Sequence, residues 1–391
     1  MATPLRRWQE DALAKWLTRR RGVASVVTGA GKTRFALACM SVARTADPAI
    51  RVLIVVPTLA LVDQWLTVMQ ADGTIGRSDL AVHRDGRVSD HVATFHVATV
   101  NTARVATQRL TASGRWMIVA DECHRYASPS NRTAIDAEWS ASLGLSATPS
   151  REYDQWFEEF VEPAIGPVFY EYGYADAASD GVLAPFRLTN YSVPLTPSEE
   201  DQYTRLTKRI AALSADEIAN SEAIRRGLVA RSRVTQGARA RIPAAVAIMS
   251  RHLGERSLVF HEKVAAAEEI AGRLMDAGHR VATYHSQMSP AQSLRSLLLF
   301  RTGQADVLVS CRALDEGLDV PNATFGLVCA SSASTRQRVQ RLGRLLRPSP
   351  GKTVAEVATI FATQTERDRL AAEERRLEGL ADVTWFEVSF R

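Results

Sequence analysis

Lysine is scarce in this sequence, occurring only at Lys15, Lys32, Lys208, Lys263 and Lys352, so arginine carries almost all the positive charge. A GC-rich coding sequence is a sufficient cause of that bias, and it makes a lysine inside a glycine-rich loop the more notable. Cysteine is rarer still. Cys39, Cys123, Cys311 and Cys329 lie far apart, with no C-x-x-C and no Cys/His cluster at zinc-ligand spacing, which argues for a reduced, cytoplasmic protein. Long apolar runs are also missing: the longest, Val52 to Val62, is interrupted by Pro57 and is too short to span a bilayer. The N-terminal stretch Met1 to Trp8 lacks the apolar core of a signal peptide, so no membrane partner is expected. No Ser/His/Asp or Cys/His nucleophile arrangement stands out, and no second catalytic activity is expected.

What is present is a chain of 391 residues, 46% hydrophobic, long enough for two or three domains with substantial cores. A formal net charge of +5 fits a nucleic-acid partner without requiring one. Short apolar runs alternate with longer amphipathic stretches. Val23 to Val27, Val52 to Val56, Met117 to Ala120 and Leu143 to Leu145 read as buried strands. The rhythm recurs at Leu258 to Phe260, Val281 to Tyr284, Val307 to Val309, Phe325 to Cys329 and Val354 to Phe361, which predicts two successive α/β units with parallel sheets. Between them, from Pro194 to Ile242, the pattern turns helical and charged, with Ser198 as a candidate N-cap and Asp201 at N3. That segment carries Arg205, Lys208, Arg209, Arg225, Arg226, Arg231, Arg233, Arg239 and Arg241, which suit either solvated helix faces or a phosphate-tracking surface.

The chemistry begins after the first strand. Thr28-Gly29-Ala30-Gly31-Lys32-Thr33 leads into a helical stretch, the strand, loop and helix context of a phosphate-binding loop. Glycines let backbone N–H groups approach phosphates, Lys32 reaches the terminal phosphates, and the Thr33 hydroxyl can bind Mg²⁺. Val26 stands where the usual first glycine of the loop would be. The Met117 to Ala120 strand runs into Asp121-Glu122-Cys123-His124, which places two carboxylates at the carboxyl edge of a sheet, where open α/β folds bind ligands. Asp121 would hold Mg²⁺ through its water shell, Glu122 would position the water that attacks the γ-phosphate, and His124 would couple motifs. A nucleotide hydrolase using ATP and Mg²⁺ is the expectation.

With these two motifs placed, the remaining segments resemble those of superfamily 2 helicases in order and spacing. Leu5-Arg6-Arg7-Trp8-Gln9 is similar to the family's adenine-reading region, which implies base contacts from Gln9 and Arg6. Pro57 to Trp65 resembles motif Ia, in which Thr58 would touch the nucleic-acid backbone, and Ser146-Ala147-Thr148-Pro149 resembles motif III, which implies a coupling role for Ser146 and Thr148. Asp315 to Pro321 resembles motif V, with Gly317 and Asp319 beside the nucleotide. Gln340 to Arg347 resembles motif VI, in which Gln340, Arg344 and Arg347 would act on the γ-phosphate once two domains close. The resemblance implies an α/β fold of two tandem RecA-like domains, at residues 1–185 and 246–391, joined by a basic helical connector or thumb-like insertion at 186–245.

A narrower likeness, to the XPB branch of double-stranded-DNA translocases and helicases, lies in Ser150-Arg151-Glu152-Tyr153, Ile165 to Tyr170, Asp180 to Pro185 and Ser331 to Gln337. It implies a nucleic-acid contact by Arg151, a backbone-binding motif at His285, and 3′ to 5′ movement. Two residues depart from the branch: Tyr153 replaces an Asp, and Cys311 replaces a Thr that contacts the phosphate backbone. The chain starts close to the adenine-reading region, so an upstream damage-recognition domain is not expected, and Val320 to Arg336 is short for a strand-separating hairpin. The function expected is therefore DNA translocation or helicase action on duplex or forked DNA, with a nuclease or a repair or defence protein as possible partner. An RNA helicase and an ATP-gated DNA clamp or loading subunit are the alternatives.

Overall fold

The computed structural model describes residues 4–73, 75–84, 86–88, 92–147, 156–182, 186–214, 217–311, 323–330, 354–377 and 381–388. A first compact unit ends at Val182, and the described residues beyond it form a second.

The first unit is a parallel sheet with helices in its connections. Its strands are β1 (Val23–Val26), β2 (Arg51–Val56), β3 (Leu80–His83), β4 (Phe95–Thr99), β5 (Trp116–Asp121), β6 (Ala141–Ser146) and β7 (Val168–Tyr172). Helices α1 (Arg7–Arg19), α2 (Lys32–Ala46), α3 (Leu59–Asp72), α4 (Val100–Thr111), α5 (Glu162–Ile165) and α6 (Tyr174–Ser179) complete it. The strand order is β3-β4-β2-β5-β6-β1-β7, with every pairing parallel. Every residue of β5 is buried, and so are Val52 to Val56 of β2. A strand apolar on both faces is stable only inside a covered sheet, so these runs occupy its middle. The core joins Leu53, Val55, Ile118 and Ala120 from the sheet to Val100 and Ala103 of α4 and to Phe157, Val161 and Ile165.

The second unit repeats the plan. It contains β8 (Phe186–Ser192), α7 (Pro197–Leu213), α8 (Glu217–Gln236), α9 (Arg241–Met249), β9 (Ser257–Phe260), α10 (Val264–Asp276), β10 (Val281–Tyr284) and α11 (Pro290–Arg301). It continues with β11 (Val307–Ser310), β12 (Phe325–Val328), β13 (Ala355–Phe361), α12 (Gln364–Arg376) and β14 (Ala381–Glu387). The order is β10-β11-β9-β12-β13-β8-β14, again parallel throughout.

Within the segment read from sequence as connector, residues 186–192 are thus a strand of the second sheet, and α7 and α8 form a helix pair. The cap of α7 is Thr196, not Ser198: its hydroxyl accepts from Glu199 N (3.4 Å), Glu199 Oε2 accepts from Thr196 N (2.8 Å), and Pro197 takes the first helical position. Gly227 lets the two helices approach, because a Cβ there would lie 2.8 Å from Ile210 Cγ1. Arg205, Lys208, Arg209, Arg225, Arg226, Arg233 and Arg239 are exposed, whereas Arg241 is fully buried at 0% exposure. Arg241 therefore belongs neither to a solvated face nor to a phosphate-tracking one. Among the described residues no helix is long and apolar enough to cross a membrane.

Candidate nucleotide site

The loop between β1 and α2 is built to leave its backbone open. Gly29 and Gly31 have φ of 90° and 100°, in the left-handed region that glycine tolerates. A Cβ on Gly31 would also come within 2.9 Å of Gln9 Nε2 and would press on the amide that donates to Gly31 O. The first turn of α2 holds Lys32 and Thr33 and no acidic residue, leaving its N-terminal partial positive charge free to attract an anion. Lys32 Nζ donates to Val26 O at the end of β1 (3.1 Å). The hydroxyl oxygen of Thr28 is buried with no hydrogen-bond partner among the described residues. An orphaned hydroxyl beside a glycine-rich helix start is what a phosphate chain would satisfy, and ATP fits this donor set.

The loop is held from behind by the start of α1. Arg6 Nη1 and Trp8 Nε1 both donate to Ala30 O (3.0 and 3.2 Å), and Gln9 Nε2 donates to Gly31 O (3.0 Å). Arg6 and Gln9, expected to read a base, thus meet the loop backbone here. Trp8 is 2% exposed, stacks on Tyr172 with ring centroids 5.1 Å apart, and serves the loop as well as the core.

The sheet order places β6 between β5 and β1, so the ends of all three strands meet one edge. Asp121 closes β5 at 6% exposure; its Oδ1 accepts from Glu122 N (3.0 Å) and its Oδ2 from the Trp65 indole (2.8 Å). Burial pushes the Asp121 carboxyl up to about 6, with the Glu122 charge adding to the rise and the Trp65 hydrogen bond and Lys32 charge opposing it. Glu122 has φ 49° and ψ 49°, a left-handed backbone that costs about 1–2 kcal/mol for a residue with a side chain. The turn brings its carboxylate toward His124, whose Nδ1 lies 3.5 Å from Glu122 Oε2 and 3.0 Å from Ser146 Oγ. His124 and Ser146 are both buried, so the second acidic residue is tied to the end of β6 through one imidazole.

Residues 2–151 match the model of the type III restriction enzyme res subunit, and residues 240–349 match the helicase conserved C-terminal domain. The chain belongs to the superfamily 2 helicases. It is 28% identical over 365 residues to the DNA 3'-5' translocase XPB2 of Sulfurisphaera tokodaii, covering 88% of this chain and 78% of that protein. It is 26% identical over 378 residues to the DNA 3'-5' helicase XPB of Kineococcus radiotolerans, covering 95% of this chain but 62% of the longer relative. In fold it is similar to the DNA-bound ATP-dependent type ISP restriction-modification enzyme LlaBIII, with a TM-score of 0.69 at 15% identity over 100% of this chain and 32% of that one.

Elsewhere in this helicase core, Thr58 caps α3, its hydroxyl accepting from Leu61 N at 3.4 Å. His285 and Cys311 follow the adjacent strands β10 and β11, so the second sheet brings them to one edge. His285 is 8% exposed with Nε2 against Glu268 Oε1, and the Cys311 thiol donates inward to Glu262 O (3.0 Å). Thr148, Arg151, Gly317, Asp319, Gln340, Arg344 and Arg347 lie outside the described residues. Read from the sequence by itself, Trp65 has no part in this site. It follows Thr58 by seven residues, about two helical turns, and that spacing puts it on the same side of α3 as the cap.

Proposed function

We propose that this chain is an ATP-driven DNA translocase or helicase of the XPB-like kind, moving 3′ to 5′. The observation that carries the reading is the meeting of the open loop before α2 with Asp121 and Glu122 on one sheet edge, close enough for the Lys32 charge to act on Asp121. In this role Lys32 binds the terminal phosphates and Thr33 and Asp121 hold Mg²⁺. The metal, when bound, supplies positive charge to the β- and γ-phosphates. Glu122 takes the proton of the attacking water on its carboxylate, and His124 and Ser146 keep that carboxylate in place. Arg6, Trp8 and Gln9 restrain the loop as the phosphates arrive.

ATP turnover is expected to rise on adding duplex DNA, with the stimulation fading as salt increases, because backbone contacts release counterions. Equal rates with and without DNA at every salt concentration would overturn the motor reading. Equal stimulation by matched RNA duplex would reassign the polymer, and failure to displace a triplex-forming strand would reduce the motor to a clamp.

A pH dependence follows from Asp121. Its folded-state pKa, about 6, lies above the ordinary 3.8, so the group stabilises the fold at low pH and that contribution is lost as pH rises through about 6. Activity should show the opposite trend, falling as pH drops through that value because the protonated carboxyl cannot hold Mg²⁺. Metal and proton compete for the site, so raising Mg²⁺ should move this acid limb to lower pH. Rate profiles at low and high Mg²⁺ check this, and a limb that stays in place would belong to another group.

A further inference from the structure

We infer that Trp65 is a positioning residue for the metal-holding carboxylate, and that α3 acts on the nucleotide site through its indole N–H. This rests on the ATPase reading above and adds a residue to it. Asp121 ends its strand with two oxygens and two fixed donors: the Glu122 N–H on Oδ1 at 3.0 Å and the Trp65 Nε1–H on Oδ2 at 2.8 Å. The first donor is the backbone N–H of the next residue, set by the turn at Glu122. The second comes from another element, 56 residues away in sequence, and so fixes where the carboxylate plane points.

Trp65 is well suited to this. At 1% exposure it has no room to change rotamer, and Val62 and Met69 of the same helix are equally buried. An indole offers one N–H and no acceptor, so it can only donate, and it favours the ionised carboxylate over the protonated one. It also opposes the upward push that burial exerts on Asp121. The helix that carries Trp65 is capped by Thr58, two residues past the end of β2, and β2 is the hydrogen-bonded neighbour of β5. A helix of 14 residues moves as a stiff rod, so a tilt at its Thr58 end would shift the indole and turn the carboxylate with it. Asp121 would thereby be set by the helix whose cap is the proposed backbone contact.

The test compares Trp65→Phe with Trp16→Phe. Trp16 is also 1% exposed in the same unit and donates its indole N–H, at 2.9 Å, to Ser142 O, so its loss removes a buried ring edge and a hydrogen bond far from the carboxylates. Trp65→Phe is expected to raise the Mg²⁺ concentration for half-maximal ATP turnover by about 10-fold or more, the usual effect of losing a partner that orients a metal ligand. The second readout is equilibrium binding of a fluorescent non-hydrolysable ATP analogue. The tightening that Mg²⁺ brings should shrink by a similar factor, while binding without Mg²⁺ stays within about twofold of the unmodified protein. Trp16→Phe should match the unmodified protein in both. Equal Mg²⁺ dependence in the two variants would overturn the inference and leave Trp65 as core packing. If Trp65→Phe does not fold, Trp65→His, which retains a ring N–H, is the fallback; a Mg²⁺ dependence like that of the unmodified protein supports the donor role, and an unchanged Mg²⁺ dependence in Trp65→Leu refutes it. An unmodified protein that neither binds nor hydrolyses ATP would instead refute the ATPase reading itself.

Discussion

Lys32→Ala is expected to abolish detectable nucleotide binding, whereas Glu122→Gln should bind ATP normally and slow its turnover by about 10²–10⁴-fold, the usual worth of a placed general base. The two effects separate because the residues meet different parts of the reaction. Lys32 opens α2 and, among the described residues, donates its ammonium only to Val26 O, a weak commitment that a phosphate oxygen would readily replace. Glu122 lies past the end of β5 in a left-handed turn, with its carboxylate toward His124, and is no part of the phosphate loop itself. Removing its charge leaves the phosphate cradle intact. Filter binding and single-turnover hydrolysis distinguish the variants. Normal turnover by Glu122→Gln would transfer the water-positioning role to another residue.

Arg241→Met is expected to destabilise the second unit by about 3–5 kcal/mol, the cost of breaking a buried ion pair by removing one partner. The guanidinium is fully buried and uses all three of its nitrogens. Nε donates to Thr235 O at 2.7 Å, Nη1 to Cys329 O and Ile360 O, and Nη2 to both oxygens of Glu366 at 2.7 and 2.9 Å. One side chain thus ties α8, β13, the residue after β12 and the first turn of α12 to α9. Methionine has nearly the same volume, so packing survives while three carbonyls lose a donor and Glu366 loses its counter-charge. Glu366 still accepts from Ala362 N at 2.9 Å, so the double variant Arg241→Met with Glu366→Gln should recover part of the loss. Denaturant unfolding, with hydrogen exchange followed in β12 and β13, measures both. A loss below about 1 kcal/mol would place Arg241 among ordinary surface charges.

Much of the fold could be read from local pattern. The runs Val52 to Val56 and Met117 to Ala120 are apolar at every position because both faces of a central parallel strand are covered, and they stand where expected. Edge strands leave fainter marks. Val168–Tyr172 and Ala381–Glu387 mix polar with apolar residues because one side meets solvent, and neither announced itself. Phe186–Ser192 falls in the stretch that reads as connector, because its neighbours in the sheet, β13 and β14, lie near the other end of the chain.

The chemistry divides in the same way. Thr28 to Thr33 and Asp121-Glu122 could be identified from the sequence because a phosphate loop and a strand-end acidic pair are local objects, set by the backbone freedom of two glycines and by where one strand stops. The family followed from the order of such objects along the chain. What each side chain meets was open until the sheets assembled. Trp65 and Trp16 look alike in sequence, yet one reaches a carboxylate and the other a carbonyl. Arg241 sits among exposed arginines in sequence, yet its partners lie 88, 119 and 125 residues away. Only tertiary packing decides such pairings, because burying a donor commits it to whatever acceptor the neighbouring element presents.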